Sequence, residues 1–244
     1  MDPQLKLKAE KYYFILAGVF IAALVACNLT FQKFFYWTPF SFLSFGADDA
    51  SWWHSLTHYT FYISVGIIPY PVTFLITDIV SEIYGRRRSD LIVMAGLISS
   101  VFVLLIIYIS AAVPATDWSP VSDDQFHRVF GNTVDSVAAS MAAYLMAQFI
   151  DIRLFHFWKK KTHGKHLWLR NNFSTIPSQF IDTLIVLLVL CYFGSISWDR
   201  FGPLLVNGFL FKVVIALLDT PFFYFFAWWF RRKFKLGPQD EIDF

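Results

Sequence analysis

Only 16% of the 244 residues are charged, cysteine occurs twice, and no polar stretch is long enough to fold as a soluble domain of its own. Each shortage excludes something. So little charge beside 57% hydrophobic residues, 29 Phe and 9 Trp excludes an ordinary soluble chain, and a mean hydropathy of +0.51 places the protein in a membrane. Cys27 and Cys191 both sit inside apolar runs, which suggests neither a disulfide framework nor a metal site. No phosphate-binding Gly-x-x-x-x-Gly-Lys-Ser/Thr motif occurs. The nearest approach, Gly164-Lys165, lacks the upstream glycine and the following hydroxyl, so the chain cannot drive work by its own ATP hydrolysis.

Enzyme motifs are missing as well. Intramembrane aspartyl hydrolysis would need Tyr-Asp and Gly-x-Gly-Asp, whereas Asp182 follows Ile181 and Asp219 follows Leu218. The histidines fall in loops or at interfaces apart from His156, leaving no support for a Ser-His pair. An enzyme is therefore not expected, no cofactor is implied, and no repeated polar face suggests a channel.

What the chain does contain is long apolar runs. Six segments, 12–36, 59–84, 89–113, 131–157, 174–194 and 203–230, approach or exceed the roughly 20 residues that span a bilayer as a helix. The expected fold is an all-α integral membrane protein, one six-helix transmembrane domain over residues 1–244. Lys6, Lys8 and Lys11 ahead of the first run resemble a signal peptide, and Leu24-Val25-Ala26-Cys27 resembles a lipoprotein cleavage box. The length of that run, its aromatic continuation through Trp37 and the five spans that follow favour a first transmembrane helix.

Basic residues alternate between connections. Fifteen of the twenty Lys and Arg lie before the first span or after the second, fourth and sixth, while the remaining connections hold only Lys33, Arg128 and Arg200. The positive-inside rule then puts both termini in the cytoplasm. Trp52, Trp53, His54 and His58 in the outer loop 40–58 read as an interfacial aromatic belt. His163 and His166, flanking Gly164 in a basic turn, read as loop rather than metal ligands.

Polar residues inside the spans carry the functional question. In the second span Pro69, Tyr70 and Pro71 interrupt the apolar run, and Asp78 and Glu82 follow four residues apart on one helical face. Two buried carboxylates there need a proton or a cation between them, unless Glu82 simply pairs with Arg86. The tetrapeptide Gln-Phe-Ile-Asp occurs twice, with Gln148 and Asp151 in the fourth span and Gln179 and Asp182 in the fifth. An amide and a carboxylate three residues apart share a face. Asp151 could instead pair with Arg153 or Arg170. Lys212 in the sixth span needs an acid, Asp182 or Asp219. Arg170 reads as a positive-inside anchor, and Ser174 or Thr175 with Pro177 as the start of the fifth helix.

Several of these pieces together resemble the queuosine precursor transporter family, also called the vitamin uptake transporter family. They are Asn28, the run YPVTFLITDIVSEIYGRRR from Tyr70 to Arg88, AYLMAQFIDIRLF from Ala143 to Phe155, LRNNFSTIPSQFIDT from Leu169 to Thr183, and Lys212. The resemblance is absent from the loop 40–58 and from the third span. It implies a fold akin to the substrate-binding subunits of energy-coupling-factor transporters. It also implies uptake of 7-deazaguanine bases for transfer RNA modification, across the inner (plasma) membrane of a bacterium.

By that resemblance Asn28, Asp78, Glu82, Gln148, Asp151, Asn171, Gln179, Asp182 and Lys212 are the expected substrate-binding residues. A guanine-like edge offers adjacent N1 and N2 donors that a carboxylate accepts together, and its O6 takes an amide or cationic donor. Asp182 or Asp151 would meet that edge, Gln148 and Gln179 the O6 and pyrrole nitrogen, and Asp78 or Glu82 the 7-substituent. The expected partners are a small 7-deazaguanine solute and the lipid bilayer. No nucleic acid and no ATPase partner are indicated, and self-association stays open. The alternative within transport is a vitamin-binding subunit that works with a shared ATPase module.

Overall fold

Two prolines decide where the second long helix begins. Pro69 and Pro71 cannot donate backbone hydrogen bonds, so they sit most readily in the first turn of a helix, and the helix runs from Tyr70 to Ile83 with Pro69 at its N-cap. The computed structural model describes all residues except 1–2, 32, 39–40, 42–57, 131–133, 164, 195, 238–239 and 243–244. In chain order the elements are α1 (Pro3–Thr30), β1 (Phe34–Trp37), β2 (Phe61–Ser64), α2 (Tyr70–Ile83), α3 (Arg86–Ala112), α4 (Asp123–Phe130), α5 (Val134–Lys161), α6 (Leu167–Tyr192) and α7 (Phe201–Phe234). Short 3-10 turns, Val65–Ile67 and Trp198–Arg200, lead into α2 and α7.

Five of these helices are long and apolar enough to cross a membrane among the described residues: α1, α2 with its leading turn, α3, α6 and α7 with its leading turn. At 28 residues α5 has the length. Its Asp135, Gln148, Asp151 and Arg153 make it more polar. Side chains such as Ile98, Phe102 and Leu105 on α3, and Leu210, Leu217, Phe222 and Phe225 on α7, stand exposed, as a lipid-facing surface requires.

Three boundaries differ from the sequence expectation. The first and second segments, expected as helix over 12–36 and 59–84, give up their facing ends to an antiparallel hairpin that pairs Phe34 with Ser64 and Trp37 with Phe61. Aromatic runs such as FFYW and FYIS favour strand once no helix holds them. Phe61 and Ile63 are buried, with Phe61 against Phe211 of α7, while Tyr36 and Tyr62 face out. At Gly66, just after the hairpin, a Cβ would lie 2.7 Å from the Cys27 carbonyl oxygen, so only glycine lets this turn close on α1.

The second difference is α6, which begins at Leu167 rather than near Ser174, with Pro177 inside it. Asn171 and Asn172 find a partner in Thr220 of α7, at 3.5 and 3.1 Å, so the first turns are held by packing rather than by a cap at Ser174. The third is α4, a short polar helix in a segment expected as loop.

The main core gathers where α1 begins and α7 ends, around Phe20, Ile79, Ile83, Ile92, Phe155, Phe223, Phe230 and Phe234. There Tyr84 Oη donates to the Ala9 carbonyl at 2.9 Å and Lys233 Nζ sits 4.1 Å over the Tyr12 ring. The start of α1 and the end of α7 thus share one end of the bundle, and the hairpin caps the other.

Candidate functional site

A helix repeats every 3.6 residues, so positions four apart form a nearly straight stripe along it. On α2 one such stripe is Tyr70, Phe74, Asp78 and Glu82. On α6 another is Arg170, Ser174, Ser178 and Asp182. In each the last residue is twelve positions beyond the first, about 18 Å along the helix. The stripes meet in antiparallel order: Tyr70 Oη donates to Asp182 Oδ2 at one end, and Arg170 Nη2 donates to Glu82 Oε1 at 2.6 Å at the other. Between them α5 inserts Gln148 and Asp151. Every polar member of the ladder is buried except the partly exposed Tyr70.

At the hairpin end the ladder borders a cavity of about 190 Å³. Asn28, Phe31, Tyr62, Tyr70, Tyr144, Asp182 and Lys212 are on its walls, and apolar α6 and α7 residues complete it. Lys212 Nζ donates to Asp182 Oδ2 at 2.6 Å and stands 4.4 Å from the centre of the Tyr70 ring. That acid satisfies the buried cation. One carboxylate oxygen of Asp182 therefore has two donors, while the buried Oδ1 has no hydrogen-bond partner among the described residues. Asn28 reaches across to α3, donating from Nδ2 to Ser100 Oγ at 3.2 Å.

Midway along, Gln148 Nε2 donates to Tyr144 Oη at 2.6 Å and Gln148 Oε1 accepts from Thr77 at 3.3 Å, so this amide sets a phenol on the cavity wall without touching the cavity itself. Asp78 and Asp151 are neighbours, and Asp78 Oδ1 and Asp151 Oδ2 are buried without a hydrogen-bond partner among the described residues. Ser178 Oγ donates to Asp151 Oδ1 at 3.2 Å. Neither carboxyl is paired with a base among the described residues.

At the far end Glu82, fully buried, is the hub of a different arrangement. Its Oε1 accepts from Arg170 and from both Nε and Nη2 of Arg231, and Lys159 Nζ lies 3.7 Å from its Oε2. Lys159 also bonds Glu241 at 2.7 Å, and the Ile242 amide donates to the Ile83 carbonyl at 2.8 Å. Removing one partner from so buried a charge cluster costs about 3–5 kcal/mol, because the remaining charges are left uncompensated.

The nine expected residues are therefore distributed along the bundle. Asn28, Asp182 and Lys212 come together at the cavity. Gln179 borders a smaller void next to it, and Gln148 acts through Tyr144. Asp78 and Asp151 form the central pair, Glu82 the inner cluster, and Asn171 packs on Thr220. Arg170 is a 2% exposed ion-pair partner rather than a surface anchor. Glu82 binds it and Arg231 in place of Arg86, which pairs with Asp90 at 3.7 Å. Asp151 meets Asp78 and Ser178 rather than Arg153 or Arg170.

Sequence reasoning misses Tyr70 and Tyr144 as wall residues and Arg231 and Lys159 as partners of Glu82. For Tyr70 a signal is present, since it lies two helical turns before Asp78 on the same stripe. Arg231 is 149 residues from Glu82 and carries no local mark.

Comparison with known proteins supplies the identification. The family described as "Putative vitamin uptake transporter" matches residues 64–226, which takes in the whole ladder. A protein of Bacillus subtilis (strain 168) described as "Probable queuosine precursor transporter" is 25% identical over 179 residues, covering 73% of this chain and 74% of its own length. No solved structure matches. With two thirds of its length matched, the chain belongs to the vitamin uptake transporter family and is a multi-pass membrane transporter rather than an enzyme.

Proposed function

We propose that the protein imports a 7-deazaguanine base, such as 7-aminomethyl- or 7-cyano-7-deazaguanine or queuine, across a bacterial inner membrane for transfer RNA modification. In this reading residues 1–244 form one domain of six spans, with α5 counted as the more polar sixth. Both chain ends lie in the cytoplasm, and the helix arrangement is akin to the substrate-binding subunits of energy-coupling-factor transporters. The 190 Å³ cavity then opens outward, and the Glu82 cluster closes the cytoplasmic side.

One observation carries the choice of solute: Asp182 Oδ1 lies buried at the cavity without a protein donor among the described residues, while Lys212 and Tyr70 hold its other oxygen. A carboxylate fixed in this way is ready to take N–H donors from a guanine-type edge. The Asn28 amide and the Lys212 ammonium stand on the same walls for the O6 acceptor, and Tyr62, Tyr144 and Phe31 offer faces on which a flat heterocycle can stack. Gln148 and Gln179 support this wall, and Asp78, Asp151, Glu82 and Asn171 are assigned no contact with the solute. The Bacillus relative, described as a queuosine precursor transporter, supports the same class.

The test is thermal stabilisation of the purified protein across a panel of 7-deazaguanines, guanine and common vitamins, since a ligand that binds the folded state raises its melting temperature. Stabilisation by deazaguanines, lost in Asp182→Asn, is the expected result. Stabilisation by a vitamin alone would overturn the solute and favour a vitamin-binding subunit.

A further inference from the structure

Asp78 and Asp151 do something the solute site does not require. They are 3% and 0% exposed, they adjoin on two helices that Thr77 and Gln148 join at 3.3 Å, and Asp78 Oδ1 and Asp151 Oδ2 are buried without a hydrogen-bond partner among the described residues. The charged groups that face them are themselves acids: Glu82 on α2 and Asp219 on α7. From α6 the pair meets Ser174, Thr175 and Ser178, and α3 contributes Ser89 against the same turn of α2. The nearest bases are engaged elsewhere, Arg170 by Glu82 and Lys212 by Asp182. Two carboxyls this close, away from water and without a cation, hold a proton between them, because two ionised groups there would repel.

A second feature connects this pair with the outer cavity. A void of about 20 Å³, room for one water, is lined by Tyr70 and Lys212 on its cavity side and by Thr175, Gln179 and Asp219 toward the pair. Thr175 and Gln179 are each 4% exposed, and Gln179 Oε1 has no hydrogen-bond partner among the described residues. Thr175 itself borders Asp151. The Gln179 oxygen and the Thr175 hydroxyl are placed to hold water in a polar passage from Lys212 to Asp151.

We infer that the Asp78–Asp151 pair is a proton-binding site, reached from the outer cavity through the Thr175 and Gln179 void, that couples solute import to an inward proton gradient. The pair gains a proton from outer water by way of that void and releases it to the cytoplasm when the Glu82 cluster parts. No other bond is made or broken. The coupling rests on the import reading above, whereas the proton site rests on the pair alone.

Two measurements on the full-length protein in liposomes separate them. Infrared spectra in H2O and D2O should show a protonated-carboxyl band that shifts with deuterium and is lost in Asp78→Asn with Asp151→Asn. With labelled 7-aminomethyl-7-deazaguanine, an inward proton gradient should drive accumulation in the unmodified protein. Asp151→Asn, and separately Asp78→Asn, should lose that accumulation while keeping exchange of labelled for unlabelled solute. A missing band in the unmodified protein overturns the proton site, whatever is transported. A band together with exchange, but with accumulation indifferent to the gradient, overturns the coupling. If no deazaguanine exchanges, the solute reading and the coupling built on it both fall, and the band still decides the proton site.

Discussion

The two ends of the α2 and α6 ladder use the same kind of group in opposite ways. At the hairpin end Asp182 has one oxygen held by Lys212 and Tyr70 and the other without a partner among the described residues, beside a cavity. At the far end Glu82 draws in Arg170, Arg231 and Lys159, with the chain segment at Glu241 and Ile242 folded across them. A carboxylate with spare accepting capacity can receive a solute. One surrounded by bases makes a closed contact between helices, and opening it means separating charges. In a transporter this difference reads as a receiving end and a sealed end of one polar track.

The sealed end should be the more sensitive. Glu82→Gln keeps an acceptor oxygen but removes the negative charge that Arg170 and Arg231 share in a fully buried position, and we expect a loss of about 3–5 kcal/mol in stability. A large fall in melting temperature of the purified protein would show it. Should the melting temperature hardly change, the cluster is hydrated and the contrast between the two ends weakens.

At the receiving end the cost should appear in binding. Asp182→Asn removes a charged acceptor and leaves Lys212 without its acid, so solute affinity should fall by about one to two orders of magnitude, in line with about 1.5–3 kcal/mol for a hydrogen bond to a charged group. Titration calorimetry or a shift in solute-dependent melting temperature reads this directly. Tyr70→Phe keeps the ring under Lys212 and removes only the hydroxyl donated to Asp182. Its effect should be smaller, about 1 kcal/mol or some fivefold in affinity. An equal loss in both variants would mean that the phenol, not the carboxylate, meets the solute.

How far the molecule is legible in its sequence follows the same division. Lys212 needs an acid inside the membrane, which by sequence alone narrows the choice to Asp182 or Asp219, and the contact is with Asp182. The i, i+4 spacing of Asp78 and Glu82 announces a polar face on α2. It does not announce that the two part company, Asp78 to Asp151 and Glu82 to Arg170, because that depends on which helices pack against the face. Arg170 is mistaken for an anchor because charge alternation reports only the side of a membrane, not burial. The hairpin escapes notice because two four-residue aromatic strands adjoining apolar runs look like continuations of helix, and only Pro69 and Pro71 hint that α2 starts late. Of the six segments expected by hydropathy, five correspond to helices long and apolar enough to cross a membrane among the described residues, and the fourth corresponds to the 28-residue α5.

The smallest effect should come from the outermost layer of the sealed end. Glu241 is 40% exposed on its side chain and bonds Lys159, which also donates to the Glu82 backbone carbonyl at 3.2 Å. A pair this open to water is screened and contributes about 0.2–1 kcal/mol. Ile242 beside it is 4% exposed and its amide is bonded to Ile83, so the segment is held by packing as well as by charge. Glu241→Gln should therefore barely move the melting temperature, whereas Ile242→Ala should lower it more, by about 2 kcal/mol or above in stability. Equal and small effects would mean that the segment lies loosely over the cluster, and the seal would then reside in Glu82, Arg170 and Arg231 alone.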